Sequence, residues 1–488
     1  MGAVIVTIGD LHALLPLLVV AATIVVTMLT IAVRRVHLLT SGLTVTGLAL
    51  AFVSLFVSGR GDGGLVTPLF MMDGFGLSLM GLVILAGLVV SLFSFTYLER
   101  GNEQKDEHYL MLLMAVLGAM VLTISHHLAG FFLGLELLGV SLYGLIAYQT
   151  TRAQGVEAGI KYFVLAAMAT ALVAFGMALI YADTGVLSLS DLDGLASHAG
   201  LAALAGPVVL TGLVLLLAGI GFKLAIVPFH LWSPDVYQGS PAPVTAFIAT
   251  ISKGGVFAFF LRAAIMLDIP HRPCLFTTIA LLAVISMFVG NLLALQQQNL
   301  KRLLAYSSIS HMGYLLMTVL AFQPWAMTAA ILYLTAYFIA ILAAFGVVIA
   351  LSTPGREAET LDDYQGLYWR RPWLAAVLTL SMLSLAGIPL TAGFMGKLIL
   401  VAGGISSAFW GMIFSLIFSS VIGLYYYLRV IISMFSRLPE TGPGHRAPGG
   451  MSWPGWIALG CLTILLVWIG VYPSPFLGLF NTLSGLGG

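Results

Sequence analysis

The chain has 488 residues, of which 60% are hydrophobic and only 8% are charged. Soluble domains carry about 25% charged residues, so this composition excludes an ordinary soluble protein and predicts a polytopic membrane protein. The formal net charge of +1 gives no electrostatic reason to expect nucleic acid as a partner. Cys274 and Cys461 both lie in apolar runs and are interpreted as small core residues, without a disulfide or metal role.

Fourteen apolar runs along the chain approach or exceed the roughly 20 residues that a helix needs to cross a bilayer. The sequence therefore predicts an all-α membrane fold with about fourteen transmembrane helices. The predicted helices 1 to 14 lie at about 12–33, 38–58, 75–98, 109–125, 128–149, 159–182, 204–232, 242–267, 275–295, 302–321, 326–350, 373–403, 408–434 and 454–474.

The basic residues of the loops test this count, because cytoplasmic loops carry an excess of Lys and Arg. Thirteen of them fall in one set of alternate loops and three in or near the other. The first set is Arg34, Arg35, Arg100, Lys105, Arg152, Lys301, Arg302, Arg356, Arg370, Arg371, Arg429, Arg437 and Arg446; the second is Arg60, Arg262 and Arg272. The first set is therefore predicted to face the cytoplasm, which places both termini on the opposite, periplasmic side.

Predicted helix 7 carries a lysine and a histidine, Lys223 and His230, with Pro228 between them. A lysine deep in an apolar helix costs roughly 3 kcal/mol on insertion scales, and a proline interrupts the helix. A charge beside a helix break in a membrane indicates a functional site, although a kinked helix with a lysine reaching the surface is the simpler alternative.

Predicted helix 12 repeats this pattern, with Pro389 close to Lys397, and is too long for one straight crossing. Both helices contain the tetrapeptide LAGI, and five steps along the chain separate them, so they enter the membrane from opposite sides. We therefore predict two inverted repeats, helices 4–8 and 9–13, with helices 7 and 12 broken and their lysines equivalent. The repeats span 109–268 and 275–436, between N-terminal helices in 1–108 and a last helix in 450–488.

Further titratable residues lie inside the apolar runs: Glu136, Lys161, Lys253 and His311. A buried lysine or glutamate is driven towards its neutral form unless an opposite charge is near, so moving a partner moves a proton. Histidine titrates near neutral pH and can bridge gaps in such a relay. Lys161 lies nearer the cytoplasmic edge and could instead reach the surface.

Three sequence stretches carry a family resemblance. PFHLWSPDVYQGSPAPV (228–244), KRLLAYSSISHMGYLL (301–316) and LSLAGIPLTAGFMGK (383–397) resemble the antiporter-like subunits of respiratory complex I over nearly the whole chain. The two larger antiporter-like subunits and the Mrp-type cation/proton antiporters usually read AHAEAP or similar where this chain reads VYQGSPAP, and that difference favours the remaining branch of the family.

The resemblance implies residue roles. Glu136 matches the family's helix 5 glutamate, Lys223 its helix 7 lysine, Lys253 its helix 8 lysine and Lys397 its helix 12 residue, and Lys161 also falls on a family lysine. It implies proton translocation in which Glu136 and Lys223 form an ion pair that controls input, Lys161 and Lys253 serve the middle, and Lys397 the exit. His230 and His311 are added as bridging residues from their chemistry alone.

The resemblance further implies a subunit of a proton-translocating NADH:quinone oxidoreductase in the bacterial plasma (inner) membrane, with no redox chemistry on this chain. Its partners would be another antiporter-like subunit, small membrane subunits and the lipid bilayer. FMN, iron–sulfur clusters and quinone are expected in partner subunits and no cofactor on this chain. A cation/proton antiporter without redox partners and a passive scaffold are the alternatives; buried charges argue against the scaffold.

Overall fold

A computed structural model describes residues 8–58, 64–101, 105–150, 152–198, 206–321, 325–353, 355–407, 409–437, 450–475 and 478. Arg60, Arg446 and both chain ends, which entered the charge and orientation predictions, lie outside these residues. Within them the chain is almost entirely helical, which confirms the predicted all-α class.

Fourteen candidate membrane crossings can be assigned in the described part of the chain by helix length and composition. Twelve helical segments are long and apolar enough to cross a membrane, Leu300–Val319 has the length, and Pro372–Ala386 and Ala392–Ser406 follow one another as two short apolar helices. The crossings are α2 Leu15–Val33, α3 His37–Ser58, α4 Gly74–Glu99, α5 Asp106–Ile124, α6 Leu128–Ile146, α7 Ala153–Thr184, α9 Pro207–Leu224 with α10 Trp232–Gly239, α11 Ala242–Phe247 with α12 Lys253–Met266, α13 Pro273–Ala294, α14 Leu300–Val319, α15 Trp325–Leu351, α17 Pro372–Ala386 with α18 Ala392–Ser406, α19 Trp410–Phe435 and α20 Trp453–Val471.

Short elements complete the fold outside the crossings. They are the helices α1 Ile8–Ala13, α8 Leu189–His198 and α16 Leu367–Arg370, the 3₁₀ helices Ile269–His271 and Leu361–Tyr364, and an antiparallel hairpin of β1 Gly64–Thr67 and β2 Phe70–Met72 that pairs Gly64 with Met72. Phe70 continues this pairing to Ser125, and His127 pairs with Ser188. These bridges tie together the connections on the predicted periplasmic side.

Three crossings are interrupted. Predicted helix 7 divides after Leu224 into α9 and α10, and predicted helix 12 divides after Ala386 into α17 and α18. Both breaks were predicted from Pro228 and Pro389. The third interruption was not: the crossing that contains Lys253 passes through a π-helical turn, Ile248–Ser252, between α11 and α12. Such turns are rare and are frequently found at functional sites.

The two sets of five crossings pack in the same order. In each set the first crossing packs against the second and the fifth, and the third packs against the broken fourth. This is what inverted repeats over 109–268 and 275–436 would give, although those limits stay a prediction. The shared LAGI tetrapeptide is a poor guide to the symmetry: it lies inside α9 ahead of its break, whereas in predicted helix 12 it spans the break itself.

The centre of the molecule is formed by α11 to α12 and by α15, which are almost wholly buried, while α7 presents most of its surface outward. Cys274 and Cys461 are exposed on the outside of the bundle, so the expectation that they are core residues was wrong. Apolar sequence context does not distinguish the core from a surface that faces lipid, because both are apolar.

An ion pair joins α12 to the start of α4. The Arg262 guanidinium, 2% exposed, donates to both carboxylate oxygens of Asp73 at 2.7 and 2.8 Å, and Asp73 also accepts from the Gly76 amide as the N-cap of α4. Asp73→Asn keeps a good N-cap but leaves the guanidinium uncompensated. We expect a loss of roughly 1.5–3 kcal/mol, seen as a lower midpoint of thermal unfolding in detergent.

The control for this prediction is the double variant Asp73→Asn/Arg262→Gln. Removing both charges should cost less than the two single changes added together, because the uncompensated charge is then absent. An Asp73→Asn protein that unfolds at the wild-type temperature would contradict the importance of this pair.

Candidate functional site: a row of buried titratable side chains

The break between α9 and α10 places Lys223 in the last turn of α9. Ala225 caps the helix in the left-handed conformation, with φ of 56°, and Pro228 has no amide hydrogen to continue it. Side chains form hydrogen bonds with the backbone groups that the break leaves without helical partners. The Val227 amide donates to Ser286 Oγ at 3.0 Å, and the Trp232 indole donates to the Phe222 carbonyl at 2.9 Å. Backbone groups at membrane depth need such partners.

The Lys223 ammonium is 2% exposed and lies 5.4 Å from the centre of the Tyr162 ring. It faces α6 at Gly139, where an added Cβ would lie 3.3 Å from Nζ. Glu136 is one turn away on α6, but the two charges form no ion pair within 4 Å. Both Lys223 Nζ and Glu136 Oε1 are buried without a hydrogen-bond partner. The predicted ion pair is therefore not formed within 4 Å, although the Lys223 amine lies against the stretch of α6 that carries Glu136.

Lys253 begins α12 immediately after the π-helical turn and is completely buried. Its ammonium donates to Ser308 Oγ at 2.6 Å and lies 5.6 Å from the centre of the Tyr237 ring. Ser308 also accepts from the Tyr337 hydroxyl at 2.7 Å. Lys253 belongs to the first predicted repeat and Ser308 to the second, so this contact joins the two repeats at membrane depth.

His311 lies beside this cluster on α14 and is 4% exposed. Its Nδ1 is 2.7 Å from the Tyr333 hydroxyl and its Nε2 is 3.2 Å from the Tyr427 hydroxyl, so both ring nitrogens are hydrogen-bonded. The Tyr337 ring centre lies 5.2 Å from that of His311. A small cavity continues from His311 to Ser384 and the neighbouring residue at the end of α17. Histidine thus stands between the Lys253 cluster and the second helix break.

Lys397 lies on α18, beyond the second break, but its side chain reaches back across it. Nζ donates to the carbonyls of Leu385 at 3.1 Å and Ala386 at 2.8 Å, and to Ser420 Oγ at 2.6 Å. Gly387 between the half-helices has φ of 83°, and a Cβ there would meet Lys397 Cδ at 2.7 Å. Only glycine allows both this backbone conformation and this approach.

Lys223 and Lys397 differ in backbone position and in contacts, so they do not show the predicted equivalence. Lys223 precedes its break and Lys397 follows the other one. The Lys397 amine lies at the C-terminal end of the first half-helix, close to where the Lys223 backbone lies in its own repeat. The side-chain length of lysine, rather than its place in the sequence, therefore brings the amine to the break.

Two clusters result. One holds Glu136 and Lys223, and the other runs from Lys253 through His311 to Lys397. Lys223 Nζ has no hydrogen-bond partner, so packed aromatic rings join the two clusters. Tyr162, beside Lys223, contacts the Trp232 ring on α10 with ring centres 5.1 Å apart. Tyr237, also on α10, faces Lys253.

Lys161 and His230 lie apart from the row. Lys161 is 46% exposed on the outer face of α7, in ion pairs with Glu157 at 2.7 Å and Asp235 at 3.2 Å. His230 is buried in the break after α9, and its Nδ1 has no hydrogen-bond partner. Their parts in a relay stay predictions.

Several hydroxyl groups of the site escaped the sequence reasoning: Tyr237, Tyr333, Tyr337 and Ser420. One signal could have found two of them. Tyr333 and Tyr337 are four residues apart in a long apolar helix, so they lie on one face of it. Tyrosine hydroxyls at membrane depth need partners, and two on one face indicate a polar seam.

A second, cytoplasm-side network surrounds the Glu357 carboxylate, which is 4% exposed. Lys301, wholly buried, donates to it at 2.6 Å; Arg152 lies at 3.2 Å and the Ala242 amide at 3.0 Å, and the Tyr97 hydroxyl also donates. Burial alone would raise the pKa of Glu357, but the charges of Lys301 and Arg152 hold that pKa below its usual range. The sequence analysis treated these cations only as loop charges.

The fold and the site together define a multi-pass α-helical membrane protein with two broken crossings and titratable side chains buried at membrane depth. The sequence matches the profile of the transmembrane family described as NADH:quinone oxidoreductase/Mrp antiporter over residues 125–423. The chain belongs to this family.

Solved structures give the same result. The chain is similar to one in respiratory complex I from Thermus thermophilus, with 34% identity over 95% of this chain and 98% of that one and a TM-score of 0.80. It shares its fold with a chain of an archaeal membrane-bound sulfane sulfur reductase, at 24% identity over 98% and 97% with a TM-score of 0.80. A chain of the Mrp complex from Dietzia sp. has the same fold, with 21% identity over 97% of each chain and a TM-score of 0.83. These relatives are all subunits of membrane complexes.

Proposed function

We propose that this chain is a proton-translocating membrane subunit of an NADH:quinone oxidoreductase, of the type called subunit N in bacteria. The observation that carries the proposal is the succession of contacts from Lys253 through Ser308, Tyr337 and His311 to the break that holds Lys397. This succession of contacts passes from one predicted repeat to the other at membrane depth. Burying titratable groups there costs free energy, so their presence indicates a function.

The physical basis is the dependence of a buried charge on its partners. A protonated amine in an apolar interior is stabilised only by nearby dipoles and charges, so displacing a partner releases the proton. Glu136 and Lys223 would control input, Lys253 and His311 would serve the middle, and Lys397 the exit. Lys161 would act at the outer face of α7.

The electron transfer that drives this movement would take place in partner subunits, which would hold FMN, iron–sulfur clusters and quinone. Another antiporter-like subunit and small membrane subunits would pack against this chain in the bacterial inner membrane. The excess of cytoplasmic Lys and Arg supports periplasmic termini.

The test is proton pumping by the purified complex in liposomes, followed with a pH-sensitive dye during NADH oxidation. Glu136→Gln removes the acid that faces Lys223 and is expected to lower the initial pumping rate several-fold. The matched control is Glu99→Gln at the exposed end of α4, whose ion-pair partners His37 and Lys105 lie outside the proposed relay; this variant should pump at close to the wild-type rate. Normal pumping by Glu136→Gln would remove the input pair from the mechanism.

The alternative is a cation/proton antiporter, since the family profile covers both kinds of protein. The VYQGSPAP stretch, 236–243, favours the oxidoreductase. Inverted vesicles that contain this chain without redox partners distinguish the two: exchange of protons for added Na⁺ in the absence of NADH would support the antiporter.

A further inference from the structure

The break between α17 and α18 leaves two backbone carbonyls without the amide donors that a continuous helix would supply. The carbonyl of Leu385 would accept from the residue four positions on, which is Pro389 and has no amide hydrogen. The chain leaves the helix at Gly387, so the Ala386 carbonyl also lacks a helical donor. Both carbonyls lie at the C-terminal end of a helix, where the peptide dipoles favour a cation.

A third oxygen completes the arrangement. Ser420 Oγ on α19 lies 2.6 Å from the Lys397 ammonium, whose other partners are the two carbonyls at 3.1 and 2.8 Å. Lys397 is 8% exposed, so the three oxygens converge on a buried point. Carbonyl and hydroxyl oxygens are the ligands that hard cations prefer, and half-helix ends hold Na⁺ in membrane transporters.

Neutral donors close the last turn of the first half-helix at both breaks, and at the end of α17 the Leu383 carbonyl accepts the Ile388 amide. At the end of α9 the Gly221 carbonyl accepts the Ile226 amide, and the Phe222 carbonyl accepts the Trp232 indole. Lys223 donates to neither. The bonds from Lys397 to the Leu385 and Ala386 carbonyls are therefore additional to the closure common to both breaks. The Ala386 carbonyl also accepts from the Ser420 hydroxyl at 3.3 Å.

We propose that the Lys397 ammonium is a covalently attached occupant of an alkali-cation site at the second break, and that it thereby makes this half of the path selective for protons over Na⁺. The amine fills the site whether or not it carries a proton, so a proton can leave and return while a metal cation has no room. This inference rests on the proposed function for its meaning, but the site itself can be tested without turnover.

The test compares two ways of removing the amine. Lys397→Ala removes the charge and opens the space between the three oxygens, whereas Lys397→Met removes the charge and keeps the space filled. Equilibrium binding of radioactive ²²Na⁺ to the purified complex should be saturable for Lys397→Ala, and at least several-fold above that of Lys397→Met and of the wild type. Adding Ser420→Ala to Lys397→Ala should weaken this binding, because one of three ligands is lost.

Equal ²²Na⁺ binding by Lys397→Ala and Lys397→Met would overturn the proposal, and so would wild-type binding as strong as that of Lys397→Ala. Lys397→Ser opens the same space and serves if the alanine variant does not assemble. Binding is measured without NADH, so normal pumping by Glu136→Gln, which would remove the input pair from the proposed function, leaves this result standing.

Discussion

Proton pumping by the complex is expected to fall at least roughly tenfold when Lys253 is replaced by alanine, because proton transfer by a positioned group contributes factors of this size or larger. The Lys253 ammonium contacts the second predicted repeat from the first, and its hydrogen-bond partner there is Ser308 at 2.6 Å. Without the amine, the side-chain partners of Ser308 Oγ are two tyrosine hydroxyls, and the succession of contacts to His311 loses its first basic member. NADH oxidation should fall in parallel if transport and electron transfer are coupled.

Two control variants separate the explanations for such a loss. Lys253→Met fills the space of the lysine, so an equal loss in this variant excludes a packing defect. Lys253→Arg keeps a positive charge that does not deprotonate in proteins. Pumping restored by arginine would mean that Lys253 supplies a fixed charge, whereas loss in both variants supports proton transfer. A fully assembled Lys253→Ala complex that pumps normally would remove the residue from the path.

The largest expected loss of stability is that of Glu357→Gln. The wholly buried Lys301 ammonium would then face a neutral amide, and Arg152 would lose one of its two acidic partners, the other being Glu359 at 3.0 Å. Removing one member of a buried ion pair typically costs about 3–5 kcal/mol. We expect a lower yield of assembled complex and a lower midpoint of thermal unfolding, measured on detergent-purified material.

Acidic pH should produce the same effect in the wild-type protein. Because the pKa of Glu357 is lower in the folded protein than in the unfolded chain, its stabilisation is complete above the unfolded pKa and is lost as the pH falls through the folded value. Glu357→Gln should therefore lose less stability on acidification than the wild type does. The matched control is Glu157→Gln, whose carboxylate is exposed and pairs with the half-exposed Lys161; its midpoint should change little. Equal acid sensitivity of Glu357→Gln and the wild type would contradict this account.

The number, type and approximate limits of the membrane crossings followed from the sequence. Each crossing can be predicted from one continuous run of apolar residues of sufficient length. Each break can be predicted from a single proline, Pro228 or Pro389, which lacks the amide hydrogen needed to continue the helix. The candidate residues Glu136, Lys223, Lys253, His311 and Lys397 could be found for a similar reason, because a titratable side chain in an apolar run is conspicuous without any knowledge of its neighbours.

Lateral neighbours and side-chain direction were decided by the tertiary structure. The sequence placed Lys161 in an apolar run near the cytoplasmic edge and left its direction open; helix packing turned it to the outer face of α7 and also turned Cys274 and Cys461 outward. The lysines near the two breaks looked equivalent, yet Lys223 faces Tyr162 while Lys397 reaches back to the Leu385 carbonyl. The hydropathy of a segment predicts how deep a residue lies in the membrane, because depth depends only on the residue's own helix. Hydropathy does not predict which helix packs against that residue, because lipid and protein interior are equally apolar. The neighbouring helix decides whether a buried charge has a partner.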